Sequence, residues 1–140
     1  AGLSIKTTLL NEFKKQINHN ITLQPILDED ESTYSLGTIN ISNVSAGIYN
    51  LIESYRPFGI TNPYPIFSFT NLEVFNIMKM GKNKEFTKLT VGNNYSSLEL
   101  VIFVDFEDVE IGEKISFNAT ISKNEFRGDT KYNLMFKELI

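Results

Sequence analysis

His19 is the single histidine in a chain of 140 residues that has no cysteine. A Ser-His-Asp nucleophile would have to use it. Yet it stands between Asn18 and Asn20, and no Gly-x-Ser-x-Gly turn accompanies it. The position reads as the polar end of a helix. Zinc needs several His or Cys ligands and is excluded. The glycines fall singly at turns, so no Gly-x-Gly-x-x-Gly or Walker loop cradles a phosphate. Two carboxylates would suffice for a glycosidase, but spacing singles out no pair. The sequence therefore supplies no catalytic set, no metal site and no cofactor site, and it reads as a non-enzymatic chain.

Two acidic clusters have the composition of a calcium loop: Asp28-Glu29-Asp30-Glu31, and Asp105, Glu107, Asp108, Glu110 and Glu113. Neither has EF-hand spacing, and both read as solvated turns. Arg127-Gly128-Asp129 matches an adhesion tripeptide, but turn chemistry already calls for those residue types. Five Asn-x-Ser/Thr sequons, at Asn20, Asn40, Asn43, Asn94 and Asn118, are what chance yields in an Asn-rich chain.

The stretch YRPFGITNPYPIFSF, residues 55 to 69, is the most distinctive. Pro57, Pro63 and Pro65 remove backbone donors and Gly59 and Asn62 favour turns, so residues 55 to 65 should form a long connection with a strand starting after Pro65. Tyr55, Arg56, Phe58 and Tyr64 then lie on a stiff loop. Rings and an arginine are the material of a recognition surface, and these four are the candidate ligand- or partner-binding residues. The alternative is that the loop folds back and buries its rings over an open end of the core.

A formal charge of -4 and a pI near 5.0 argue against an electrostatic grip on phosphates, so nucleic acid is not expected as a partner. The densest basic group, Lys79, Lys82 and Lys84, sits beside Glu85 and reads as an exposed hairpin turn. No apolar run approaches the ~20 residues of a membrane helix, and the opening AGLSIKTTLLNEFKK lacks the layout of a secretory leader. Compartment is left open, with a virion or an extracellular surface compatible.

The elements that must position these residues follow from periodicity. Ile5, Leu9, Phe13 and Ile17 recur at helical spacing, which predicts a helix over residues 1 to 19, stopped by Asn18-His19-Asn20. It would cover a sheet face or pack on a neighbouring subunit. From residue 20, period two takes over. ITLQPIL, interrupted or edged by Pro25, and GTINI, GIYNLI, LEVFNIMKM, EFTKLTV, LELVIFVDF, KISFNATIS and the stretch around Tyr132, Leu134 and Phe136 read as strands. Val101 and Phe103 put apolar side chains on the second face of LELVIFVDF, which predicts a central strand covered on both sides. About eight short strands with regular turns predict a single all-β domain over residues 1 to 140, an antiparallel β-sandwich, jelly-roll-like, with one N-terminal α-helix. A non-enzymatic structural or adaptor module of an assembly such as a phage virion or tail follows, with protein partners or self-association. A carbohydrate-binding, lectin-like module using Tyr55, Phe58 and Tyr64 is the alternative, with a glycan as partner.

Overall fold

A computed structural model describes residues 6–23, 34–104, 106 and 109–140, with side chains of α1 described through residue 16. The chain divides into two units, Ala1–Ser32 and Thr33–Ile140. In the first, a 3-10 turn, Thr7–Leu9, leads into helix α1, Leu10–Leu23. The predicted helix forms, but α1 runs through Asn18-His19-Asn20 and ends later. His19 therefore lies inside the helix, not at its cap.

The second unit contains β1 (Ser35–Thr38), a 3-10 turn (Ile41–Asn43), α2 (Ala46–Glu53), β2 (Ile66–Met80), β3 (Phe86–Gly92), β4 (Ser97–Ile102), β5 (Lys114–Phe126) and β6 (Asp129–Leu139). Alternation makes the strands. Leu89 and Val91 on β3, Leu100 and Ile102 on β4, Ile115, Phe117, Ala119 and Ile121 on β5 and Leu134 on β6 all turn inward and are buried. Each large apolar side chain so buried contributes ~1.5–3 kcal/mol. Phe69 and Phe117 stack at 5.6 Å in the centre.

Strand order is β1-β2-β3-β4-β6-β5, and β5 returns to pair with β2, so β2 to β6 close into a five-stranded barrel. Closure depends on β2. It has 15 residues, pairs with β5 through Phe67 to Glu73, and pairs with β3 through Glu73 to Met80. Each pairing carries one register shift, from Phe69 to Leu72 against β5 and from Val74 to Asn76 against β3. Asn71 takes φ 54° in the first shift, a left-handed conformation that Asn tolerates, and its N–H donates to the Ser116 hydroxyl oxygen at 3.0 Å. The bent strand belongs to both sides of the barrel. At the β3–β4 turn Gly92 meets the facing chain so closely that a Cβ would collide with the Ser96 carbonyl oxygen and with Ser97.

The jelly-roll-like antiparallel sandwich is thus incorrect. One bent sheet closes on itself, and two of its pairings, β1 with β2 and β4 with β6, are parallel. Alternation is the same in a sandwich and a barrel, so side-chain parity carries no information on closure. Residues 21 to 23 of ITLQPIL belong to α1 and the rest of that segment lies outside the described residues. GIYNLI is also not a strand. It forms α2, which places Ile52 in the core with Ile48 and Tyr49 packed against it, and brings Tyr49 to 5.6 Å from Tyr132. LELVIFVDF ends as a strand at Ile102 and is central, between β3 and β6; among the described residues Val101 is half-buried and Phe103, just past the strand, is 62% exposed.

Candidate functional site

The outward parity of β2, β3 and β4 gathers residues of unusual type for a wet face. Across the sheet, Met78 is level with Lys88, Met80 with Phe86, and Lys88 with Val101. Their chain neighbours Thr87, Leu89, Leu100 and Ile102 are buried inside, so these five point out. Phe103, just past β4, meets the Phe86 ring edge-on at 5.8 Å. Met78 and Phe103 are both well exposed. In the middle, the Lys88 ammonium donates to the Glu99 carboxylate at 3.0 Å. The result is an apolar, partly aromatic strip with one ion pair set into it.

The β2–β3 turn, residues 81 to 85, borders the Phe86 end of this strip. Gly81 at φ 90° and Lys84 at φ 60° make the reversal, and Glu85 folds back to accept the Asn83 N–H at 2.8 Å. Lys82 and Lys84 are left exposed on it. Lys79 has a different role. Its ammonium donates to the Phe106 carbonyl at 2.8 Å and to the buried Thr87 hydroxyl at 3.3 Å, while Thr87 accepts the Phe106 N–H at 3.0 Å. This network pins the segment after β4, and with it the backbone next to Phe103. The β5–β6 turn, at Arg127 and Gly128, has φ values of 52° and 89° and lies toward the opposite end, since Leu134 is level with Leu100. The Arg127 guanidinium rests 5.1 Å from the centre of the Phe126 ring.

The loop at 55 to 65 is held by its own bonds. The Asn62 amide donates to the Tyr55 carbonyl at 2.8 Å and to the Pro57 carbonyl at 3.0 Å. Phe58 and Tyr64 meet edge to face at 4.7 Å and pack half-buried against the core, with Arg56 over Phe58 at 5.6 Å. The Tyr64 hydroxyl donates to the Ile121 carbonyl at 2.9 Å, and its burial raises the phenol above its ordinary pKa. The bond from Arg56 holds Glu53 below the usual carboxylate range. The structure brings Arg56, Phe58 and Tyr64 together, and Tyr55 remains exposed.

Among the described residues no three His, Asp or Glu side chains are grouped to hold a metal, and no helix is long and apolar enough to cross a membrane. Residues 28 to 31, with Asp105, Glu107 and Asp108, lie outside the described residues. Asn118 is buried, accepting from Ser68 and donating to Glu138 at 2.7 Å each, which removes it as a glycan acceptor in the folded chain.

The closed order β2-β3-β4-β6-β5, with β4 parallel to β6, is that of an OB-fold barrel. The family model for the RecJ OB domain matches residues 37–138. The chain belongs to this family. The single-stranded-DNA-specific exonuclease RecJ of Bacillus subtilis is 27% identical over 145 residues, a match that covers 99% of this chain and 18% of that protein. Crystal structures of RecJ from Thermus thermophilus share the fold: the Mg2+ complex at TM-score 0.63, covering 97% of this chain and 21% of that one, and the Mn2+ complex at 0.64, covering 99% and 20%, both at 14% identity. The chain thus spans about a fifth of the length of these relatives.

Family membership overturns the reading as a virion or tail component, and with it the lectin-like alternative. It also overturns the exclusion of nucleic acid as a partner. The physical reason is that net charge is a sum over the whole molecule, whereas contact with a nucleic acid depends on how cations and rings are distributed locally. Sequence reasoning missed Met78, Met80, Phe86, Lys88 and Phe103. A signal was present in Val101 and Phe103, apolar at outward parity, but parity alone does not separate a covering layer from an open stacking face.

Proposed function

We propose that this domain is a non-catalytic module that binds single-stranded nucleic acid, DNA in the first place, within a longer exonuclease. The strand lies across β3 and β4. Bases stack on Phe86 and Phe103 and against Met78 and Met80, and phosphates meet Lys82 and Lys84 on the β2–β3 turn. The observation that carries this is the contiguous outward strip on β2, β3 and β4 of an OB-fold barrel, with Met78 and Phe103 exposed and Met80, Phe86, Lys88 and Val101 half-buried, on the face and turn with which such barrels hold oligonucleotides. The choice of DNA is supported by the relative's name as a single-stranded-DNA-specific exonuclease. With few cations on the face, stacking supplies most of the affinity and salt weakens it gently.

Fluorescence anisotropy of a labelled oligothymidylate tests this across a salt series. The intact chain should bind the single strand better than the same length of duplex. Lys82→Ala with Lys84→Ala should flatten the slope of log K against log salt by about 1.4, two phosphates at ~0.7 each on a single strand. Absence of single-strand binding at low salt would overturn the proposal.

A further inference from the structure

The register of the barrel carries the strip further than β4. Met78 is level with Lys88, Lys88 with Val101, Val101 with Met135, and Met135 with Thr120, so one outward row crosses all five barrel strands. Four interstrand steps of about 4.8 Å make this row about 19 Å long, measured along the curved wall of the barrel. Its far end opens into a groove of 370 Å³, whose walls include Thr120 and Met135 from the row and Arg56, Tyr64, Lys123 and Lys137 around it. Of the charged residues lining it, Arg56, Lys123 and Lys137 are cations and Glu53 is the lone carboxylate. Arg56 is paired with Glu53, and Lys123 with Glu125 just outside the lining. Row and groove are therefore continuous, and with Glu125 counted the groove holds three cations against two carboxylates, Lys137 being the cation outside these two pairs.

We propose that the single strand does not leave the protein at β4 but continues over β6 and β5 into this groove, where Lys123 and Lys137 meet its phosphates and the 55–65 loop forms the wall. The inference rests on the reading of the β2–β3–β4 face as the primary binding surface. It gives the loop a function separate from base stacking: Tyr64, bonded to Ile121, and Phe58 beneath Arg56 hold the wall at a fixed height over β5. The groove is a length sensor, because only a strand long enough to cross the whole row reaches it. OB-fold sites hold on the order of 4 to 16 nucleotides, so a short oligomer can fill the primary face and leave the groove empty.

Anisotropy titrations with oligothymidylates of about 4 and about 12 nucleotides test the extension. For Lys123→Ala with Lys137→Ala, affinity for the long oligomer should fall about 3- to 5-fold at moderate salt, with a salt slope flatter by about 0.7, since Lys123 is already paired with Glu125, while affinity for the short one stays within about 2-fold. Both lysines are exposed, and an unchanged melting temperature confirms that the fold is intact. Thr120→Lys, which adds a cation where row and groove meet, should tighten the long oligomer alone. Equal effects on both lengths, or no effect on either, would overturn the path into the groove while leaving the primary face in place. An intact chain that binds neither length would overturn the binding function itself, and the extension with it.

Discussion

Removing the ring of Phe103 separates binding from stability, because the side chain is largely exposed. The ring is 62% exposed and touches Phe86 edge-on at 5.8 Å, so under two-fifths of its surface is withdrawn from water. A fully buried Phe→Ala costs about 3–5 kcal/mol, and scaling by that fraction leaves roughly 1–2 kcal/mol for Phe103→Ala. In a chain of this size such a loss lowers the melting temperature by about 3–10 °C and leaves the fold populated at room temperature. The binding term is separate. A base stacked on an aromatic ring is worth about 1–3 kcal/mol, so the dissociation constant for single-stranded DNA should rise about 5- to 150-fold. Anisotropy gives the affinity and thermal denaturation followed by circular dichroism gives the stability, both on the same preparation. Leu51→Ala, on α2 and 56% exposed, is the matched control and should leave affinity unchanged. Phe103→Ala with unaltered affinity and a lowered melting temperature would show that the ring is merely packing on Phe86, and the stacking assignment would be wrong.

Glu99→Gln frees Lys88 from a partner at 3.0 Å in the middle of the strip, so single-strand affinity should rise about 2- to 5-fold and the salt slope should steepen by about 0.7 in the same titration. Gly92→Ala places a methyl group against the Ser96 carbonyl oxygen, and denaturant unfolding should register a loss of about 1–3 kcal/mol. Tyr64→Phe deletes the bond to Ile121 and should cost about 1 kcal/mol at neutral pH. The pH dependence of that site follows from the sign of the shift: burial raises the phenol above its ordinary 10.0, so the folded chain keeps this proton after the unfolded chain has lost it. Its stabilising effect is complete below the unfolded value and is lost as pH rises through it toward the folded value. Urea unfolding at rising alkaline pH should show this decline in the parent chain and a weaker one in Tyr64→Phe.

Individual extended segments are legible in the sequence because alternation is a local property. Residues 114 to 122 and 132 to 136 show their apolar parity without reference to any partner, and the structure buries Ile115, Phe117, Ala119, Ile121 and Leu134 accordingly, while Asn118 and Asn133, of the opposite parity, are buried as well. The N-terminal stripe is legible for the same reason, although its end is not: the polar trio at residues 18 to 20 lies within α1 and does not stop it. The short helix α2 is not legible. Eight residues offer too little periodicity to separate a short helix from a strand, and it is Ile52, buried among barrel residues, that ties the segment down.

Which strands meet is decided by tertiary structure alone. Sequence places Phe67 and Met80 on extended segments, but only the two register shifts in β2 let one strand pair with both β5 and β3 and so close a barrel in place of a sandwich. The same holds for the site. Met78, Lys88, Val101 and Met135 come from four strands and are separated by up to 57 positions, and no spacing rule links them. Strand pairing sets them in one row, because hydrogen-bond register between strands, unlike side-chain parity within one, is fixed by closure of the whole sheet.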